Sequence, residues 1–100
     1  MTALRWNAKN GALSIPLHML DALHRPTHLV AQREDDAVVV LYLPWDIRIR
    51  SESKVRKVNY PERAMPRISI GPDPAHELGL IDGRWKAELR STCIVAMFDQ

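Results

Sequence analysis

The stretch Ser14-Ile-Pro-Leu-His-Met-Leu-Asp-Ala-Leu23 predicts a strand that changes into a short helix without a loop between them. Pro16 suits the first helical position, because its φ is already near helical and its missing N–H would have no partner there. After the proline, leucines recur at a spacing of three residues, which gives one apolar stripe along the helix. A comparable junction follows the stretch Arg67-Ile-Ser-Ile70, where Pro72 and Pro74 lead into a short helix over residues 75–80.

The segments around these two junctions predict β-hairpins. Asn10-Gly11 is a strong turn signal between strands at residues 3–7 and 12–15. The acidic triplet Glu34-Asp-Asp36 separates a strand at 29–33 from a buried strand at 37–43. In the second half of the chain, we expect strands at residues 47–50, 55–60, 67–70, 85–90 and 93–98.

The two halves of the chain show a weak internal repeat. Three short segments of the first half match segments of the second: Leu13-Ser-Ile15 with Ile68-Ser-Ile70, Ala22-Leu23 with Gly79-Leu80, and 38–41 with 95–98. The alternative is a coincidence between two β-rich halves. If the repeat is real, neither unit can bury its own faces, so the halves must interlock. We expect a single domain over residues 1–100, with repeat-like halves 1–43 and 57–100 joined by a basic segment 44–56.

Composition limits the class of protein. The chain has 100 residues, of which 46% are hydrophobic and 26% charged, as in an ordinary globular domain with one core. No apolar run is long enough to span a bilayer, and the first residues lack the apolar core of a signal peptide. A single cysteine, Cys93, excludes an internal disulfide and suits a small buried hydrophobic position. We therefore expect a cytoplasmic protein.

Positive charge is concentrated in one part of the chain. The net charge is only +2, but residues 48–67 contain seven basic and two acidic side chains. Such a stripe attracts phosphate backbones, and that is a common use of basic clusters on small domains. The alternative is a solvated strand and loop without a partner.

Four elements in the first half resemble the swapped-hairpin domain of the AbrB and MazE family (the SpoVT-AbrB superfamily). These elements are Leu4-Arg-Trp-Asn, Ala12-Leu-Ser-Ile-Pro16, Met19-Leu-Asp-Ala-Leu23 and the hairpin with the acidic tip at 34–36. The resemblance covers residues 4–43, and a fainter copy covers 67–98. Two tandem copies are the arrangement of the MraZ branch. The resemblance implies a mainly β fold with short helices, a swapped-hairpin β-barrel, as a monomeric pseudo-dimer or a homodimer.

The resemblance also implies a DNA surface made by the first strands and the loop between them. It places Arg5, Trp6, Asn7, Lys9 and Asn10 there; of these, arginine and asparagine can read base edges and lysine neutralises phosphate. The second half offers Arg63 and Arg67 where the first offers Lys9 and Ala12. We expect Trp6 in the core, since large aromatic side chains are preferentially buried. With the basic segment included, the predicted DNA contacts are Arg5, Asn7, Lys9, Asn10, Arg48, Arg50, Arg56, Lys57, Arg63 and Arg67.

Catalytic signals are weak. His24 and His28 are four residues apart, but Pro26 lies between them and no further ligand stands at a metal-binding spacing. No phosphate-binding glycine loop or nucleophile motif is present. We predict no catalytic residue, no metal and no cofactor.

Two functions follow from these patterns. The first is a transcriptional regulator that binds duplex DNA through a basic barrel surface. The second is a protein-interaction module, such as an inhibitor, adaptor or antitoxin-like protein, that keeps the barrel and docks on a larger protein. Trp45, which follows Pro44, is a candidate anchor for such an interface, and a core position is equally compatible with it.

Overall fold

The computed structural model describes residues 3–98, which form eight strands and two short helices. In chain order the elements are β1 (Ala3–Asn7), β2 (Ala12–Ser14), α1 (Leu17–Ala22), β3 (His28–Asp35), β4 (Val38–Tyr42), β5 (Val55–Asn59), β6 (Arg67–Ser69), α2 (Pro72–Glu77), β7 (Gly83–Leu89) and β8 (Cys93–Phe98). The mainly β class with short helices is therefore confirmed.

The eight strands close into one antiparallel barrel with the order β1-β2-β6-β5-β3-β4-β8-β7. Each half of the chain contributes two hairpins, β1–β2 and β3–β4 from the first half and β5–β6 and β7–β8 from the second. Hairpins from the two halves alternate around the barrel, so the two hairpins of one half never pair with each other. Closure of the barrel leaves none of these strands with an open edge.

Strand registers relate the two halves by an approximate twofold axis, which we call the pseudo-dyad. At the centre of the β2–β6 pair, Leu13 lies opposite Ile68, 55 positions later in the chain. On the opposite wall of the barrel, Val40 lies opposite Val95 with the same separation. All eight strand pairings fit the pseudo-dyad, although corresponding residues are not 55 positions apart in every strand. Asn7 opposite Ala12 in β1–β2 corresponds to Asn59 opposite Arg67 in β5–β6, so Asn7 and Asn59 are 52 positions apart.

The registers correct part of the sequence alignment of the two halves. The match of Leu13-Ser-Ile15 with Ile68-Ser-Ile70 agrees with the pairing across the pseudo-dyad. The other two matches are wrong by two residues, because β4 corresponds to Cys93–Met97 and not to 95–98. Low sequence similarity between the halves gives no local signal that would separate these alignments.

The barrel interior is filled by large apolar side chains from all parts of the chain. Leu4 and Trp6 point inward from β1, and Trp85 from β7 is fully buried. The indole of Trp85 donates to the Ile81 carbonyl (3.0 Å) and meets the Phe98 ring edge-on at 5.2 Å. The expected burial of Trp6 and Cys93 is confirmed.

Helix α1 begins at Leu17 and buries Met19 and Leu20. Pro16 precedes the helix with a ψ of 134°, so the expectation that it takes the first helical position is wrong by one residue. Helix α2 starts three residues earlier than expected, at Pro72 rather than Ala75. Prolines fit the first turn of a helix, where no N–H donor is needed, so Pro72 and Pro74 belong to the helix and do not only precede it. Gly79 then ends the turn with φ +71°, a left-handed value that glycine tolerates without strain.

The segment that joins the two halves, residues 43–54, contains no strand, so the expected strand at 47–50 is wrong. The chain makes successive turns instead: Asp46 N donates to Leu43 O (3.0 Å) and Ser53 N to Arg50 O (3.0 Å). The alternation of apolar and charged residues at 47–50 does not reflect a strand with one buried face. Ile49 packs on the outer face of β4 and β8, whereas Ile47 is 99% exposed.

Gln32 on β3 fastens this linker to the barrel. Its side chain is 1% exposed and points away from the barrel interior. The amide oxygen accepts from Arg50 N (2.7 Å) and Ser53 Oγ (2.8 Å), and the amide nitrogen donates to Arg48 O (3.0 Å) and to the Glu34 carboxylate. All hydrogen-bonding capacity of this buried amide is thereby used.

A second group of contacts, made by Arg48, attaches the linker to β4 and to the turn before β8. The Arg48 guanidinium binds Asp46 (2.8 Å), donates to Thr92 Oγ1 (3.1 Å) and lies 4.8 Å from the centre of the Tyr42 ring. Hydrogen bonds from Arg48, through its side chain and its backbone N–H, lower the pKa of Asp46 to about 2.

We expect the substitution Gln32→Leu to lower the free energy of unfolding by about 2 kcal/mol, because it leaves the linker's buried polar groups without partners. Ser53→Ala removes a single hydrogen bond and should cost about 1 kcal/mol or less. Urea unfolding followed by circular dichroism measures both. Equal stability of Gln32→Leu and the wild type would contradict this role of Gln32.

Asp46 should make stability depend on acidity. Its pKa in the folded protein is about 2, below that of a free carboxyl, so its stabilisation is complete above about pH 4 and disappears as the pH falls towards 2. We expect the melting temperatures of the wild type and Asp46→Asn to differ most at pH 6–7 and to converge near pH 2.

The matched control is Asp36→Asn, since Asp36 also contacts an arginine, at 2.9 Å, but is 98% exposed. Exposed ion pairs contribute little, so this variant should melt close to the wild type throughout. A gap between Asp46→Asn and the wild type that persists unchanged to pH 2 would contradict the expected titration.

Candidate nucleic-acid interface

The outer face of β1, β2, β6 and β5 is centred on the pseudo-dyad. We call it the dyad face. Inward-pointing residues alternate with outward-pointing ones along these strands, so Leu13 and Ile68 enter the core while Ser14 and Arg67 face solvent. Adjacent strands are about 4.8 Å apart, which makes the face roughly 15 Å wide.

Three arginines lie in one row across this face and the adjacent strand β7. Arg84 is opposite Arg5, Arg5 is opposite Ser14, and Ser14 is opposite Arg67. All three guanidinium side chains belong to exposed residues. Within residues 3–98, none of the three arginines forms an ion pair or a side-chain hydrogen bond. Their positive charge therefore faces solvent without a carboxylate partner among these residues.

A polar cavity of about 340 Å³ opens between these strands. Its lining carries amide, hydroxyl and guanidinium groups and no carboxylate, from Arg5, Asn7, Asn10, Ala12, Ser14, Arg67 and Ser69. The side-chain oxygen of Asn7 accepts from the backbone N–H groups of Lys9 (3.0 Å) and Asn10 (3.2 Å). That orientation leaves the amide nitrogen of Asn7 as its remaining polar group.

The two loops of the dyad face lie at opposite ends, because β2 and β6 are antiparallel. The loop 8–11 carries Lys9 and Asn10, and the loop 60–66 carries Arg63. Each loop is tied to the other half by a backbone hydrogen bond: Ile70 N donates to Gly11 O (2.8 Å) and Ile15 N to Pro66 O (2.9 Å). Lys9, Asn10 and Arg63 are all exposed at these loops.

Three of the predicted contact residues are occupied elsewhere. Arg48 is held by Asp46 and Thr92, on the wall of the barrel opposite the dyad face. Arg50 contacts Glu34 (3.7 Å) and Glu52 (3.2 Å) and donates to the Arg33 carbonyl (2.6 Å). The basic charge of residues 48–67 is therefore partly neutralised within the fold.

Arg56 is the third of these residues, and it takes the place that Leu4 occupies in the first half. Its guanidinium donates to the backbone carbonyls of Ser69 and Ile70, both at 3.4 Å. Burial lowers the pKa of this guanidinium. Arg56 thus caps one end of the barrel and is less available to a ligand than its neighbour Lys57, which faces solvent.

The structure brings Arg5, Asn7, Asn10 and Arg67 together around one cavity, with Lys57 on the same face. Sequence reasoning missed Arg84. Inward and outward residues alternate along 85–90 in the sequence, and this alternation places Arg84 on the outer face. Only the pairing of β7 with β1 shows that Arg84 lies beside Arg5.

An exposed apolar groove borders the dyad face at the start of β5, and Arg84, Arg5 and Arg67 do not line it. It has a volume of about 470 Å³ and is lined by Pro26, Thr27, His28, Leu43, Pro44, Trp45 and Val55. Trp45 is 67% exposed and Val55 56%, so Trp45 is a surface residue and not part of the core.

Other kinds of site find little support in residues 3–98. They contain no group of three or more histidine, cysteine, aspartate or glutamate side chains placed to hold a metal ion. No helix within this range has the length and apolarity required to cross a membrane. Comparison of the chain with protein-family models, with curated proteins and with solved structures gave no match.

Proposed function

We propose that the protein binds duplex DNA through the dyad face and regulates transcription. The observation that carries this proposal is the row of Arg84, Arg5 and Arg67, three solvent-facing guanidiniums with no carboxylate partner among residues 3–98. Arginines supply phosphate neutralisation and bidentate contacts to guanine. Lys9, Asn10 and Arg63 extend the same face through the two loops.

The pseudo-dyad supports duplex DNA over other anionic partners. A duplex backbone has its own approximate twofold axes, and proteins with twofold symmetry commonly align their axis with one of them. Here a single chain presents two related hairpins and two loops about such an axis. One chain can therefore offer the surface that a homodimer of half-size subunits would provide.

We also propose that the chain is a member of the AbrB and MazE-like swapped-hairpin family with two tandem copies. Alternation of hairpins from the two halves around one closed barrel supports this proposal. So does the uniform separation of 55 residues between paired positions at the pseudo-dyad.

Removal of the row should weaken DNA binding and reduce its dependence on salt. We expect the triple variant Arg5→Ala/Arg67→Ala/Arg84→Ala to lose at least about tenfold in affinity for random duplex at low salt, with a shallower slope of log K against log salt. Fluorescence anisotropy with a labelled duplex measures both quantities.

The control has the same change in charge at arginines that already have carboxylate partners. Arg25, Arg33 and Arg90 contact Asp21, Asp36 and Glu88 at 2.9, 2.9 and 3.3 Å. Their triple alanine variant should retain most of the affinity. Wild-type protein that shows no binding at low salt, or equal losses in the two variants, would refute the proposal.

A second candidate function is docking on a larger protein through the groove at Trp45. The exposed indole, the fully exposed Ile47 and the neighbouring Val55 favour it, because aromatic anchors carry much of the binding energy at protein interfaces. Arg5 and Lys9 lie away from this groove and should not contribute to such an interface.

A capture experiment with nuclease treatment separates the two functions. If the groove binds a protein, the wild type retains that partner after digestion, Trp45→Ala/Ile47→Ala loses it, and Arg5→Ala/Lys9→Ala keeps it. The control Ile81→Ala/Leu89→Ala, at two other exposed apolar residues, should also keep it. No difference between Trp45→Ala/Ile47→Ala and this control would contradict docking at the groove.

A further inference from the structure

The two rows of outward side chains on the dyad face are related by the pseudo-dyad but differ in charge. One row runs Arg84, Arg5, Ser14, Arg67, Asn59. Its counterpart is made of the corresponding residues His28, Lys57, Ser69, Ala12 and Asn7. Serine and asparagine recur at equivalent places, whereas Arg67 corresponds to Ala12. Only the first row flanks its serine with two arginines.

The spacing in the first row suits a single tetrahedral anion. Arg5 and Arg67 lie on the two strands that flank Ser14, so their backbones are about 10 Å apart and the short serine leaves a gap between them. That gap is part of the polar cavity of about 340 Å³, whose lining includes no carboxylate. The guanidinium and hydroxyl groups that line it can donate hydrogen bonds, and such donors are what a phosphate group requires.

We propose that Arg5, Ser14 and Arg67 form a seat for one phosphate group of the duplex, which the other row lacks. This inference rests on the proposed DNA-binding function and deepens it. Ala12 at the position equivalent to Arg67 carries no charge, so Lys57 faces its serine alone. A duplex therefore meets two unequal halves of the dyad face, and the complex has one preferred orientation.

If two arginines bind one phosphate, the dependence of DNA affinity on salt distinguishes this arrangement from two separate contacts. Loss of one phosphate contact flattens the slope of log K against log salt by about 0.9. We expect the double variant Arg5→Ala/Arg67→Ala to flatten it by only about 0.9 in total, because both arginines neutralise the same phosphate, and each single variant to flatten it by less, because one arginine remains. Two separate phosphates would flatten the slope by about 0.9 in each single variant and by about twice that amount in the double variant.

The pseudo-dyad supplies the matched control, Lys57→Ala, at the position equivalent to Arg5. We expect a smaller loss of affinity than for Arg5→Ala, and additive losses when Lys57→Ala is combined with it, because the two side chains lie in different rows. Equal losses for Arg5→Ala and Lys57→Ala would overturn the asymmetry while leaving DNA binding intact. Melting temperatures of all variants confirm that the barrel is folded.

Inorganic phosphate tests the seat without DNA. In NMR spectra at low ionic strength, added phosphate should shift the Nε–Hε signals of Arg5 and Arg67 together, and leave that of Arg90, which contacts Glu88, unchanged. Duplex binding without these shifts would overturn the seat and leave the proposed function standing. Phosphate shifts in a protein that does not bind duplex would refute the function and leave an anion site.

Discussion

The pairing of β2 with β6 is the constraint on which the barrel depends. The two hairpins of each half share no strand pairing, so neither half can form a closed sheet alone. Leu13 and Ile68 meet at the centre, and the bonds from Ile15 to Pro66 and from Ile70 to Gly11 extend the contact at both ends. Folding of one half therefore requires the other, and the contacts that close the barrel are distant in sequence.

The linker, residues 43–54, connects the two halves so that β2 and β6 of one chain can pair. It crosses the outside of the barrel and is fastened by the buried amide of Gln32 and by the Asp46–Arg48 pair. The outer cluster of Val40, Tyr42 and Cys93 is thereby covered, and Ile49 packs against it. The positive charges of Arg48 and Arg50 serve this fastening, which explains why a basic stretch of sequence yields a smaller basic surface.

In the core, the two halves place different side chains at equivalent positions of a nearly symmetric barrel. Trp6 in the first half corresponds to Val58 in the second, whereas Leu29 in the first corresponds to Trp85 in the second. Each half thus supplies one buried indole at a different place, and large side chains on one strand are balanced by small ones elsewhere. Close packing of the interior depends on total volume, so identical residues at equivalent positions are not required.

Most strands could be predicted from the sequence, because alternation, the Asn10-Gly11 turn and Pro16 are local signals. The turns of residues 43–54 could not, since the side chains that organise them, such as Gln32, are distant in sequence and unremarkable in pattern. The candidate site was partly predictable for the same reason. Arg5, Asn7 and Asn10 share one hairpin, but Arg84 joins them only through the β1–β7 pairing.

Positions at which the two halves differ fall into two groups: those inside the barrel and those on the dyad face. Inside the barrel, exchange of one apolar residue for another is compensated by its neighbours, so asymmetry there has a structural explanation. On the dyad face, Arg67 and Ala12 stand at equivalent positions of β6 and β2, where Arg67 is exposed and Ala12 is buried. Because Arg67 has no partner within residues 3–98, the fold does not account for its charge. In the proposed complex, a phosphate group of the duplex pairs with this charge, on one side of the dyad face only.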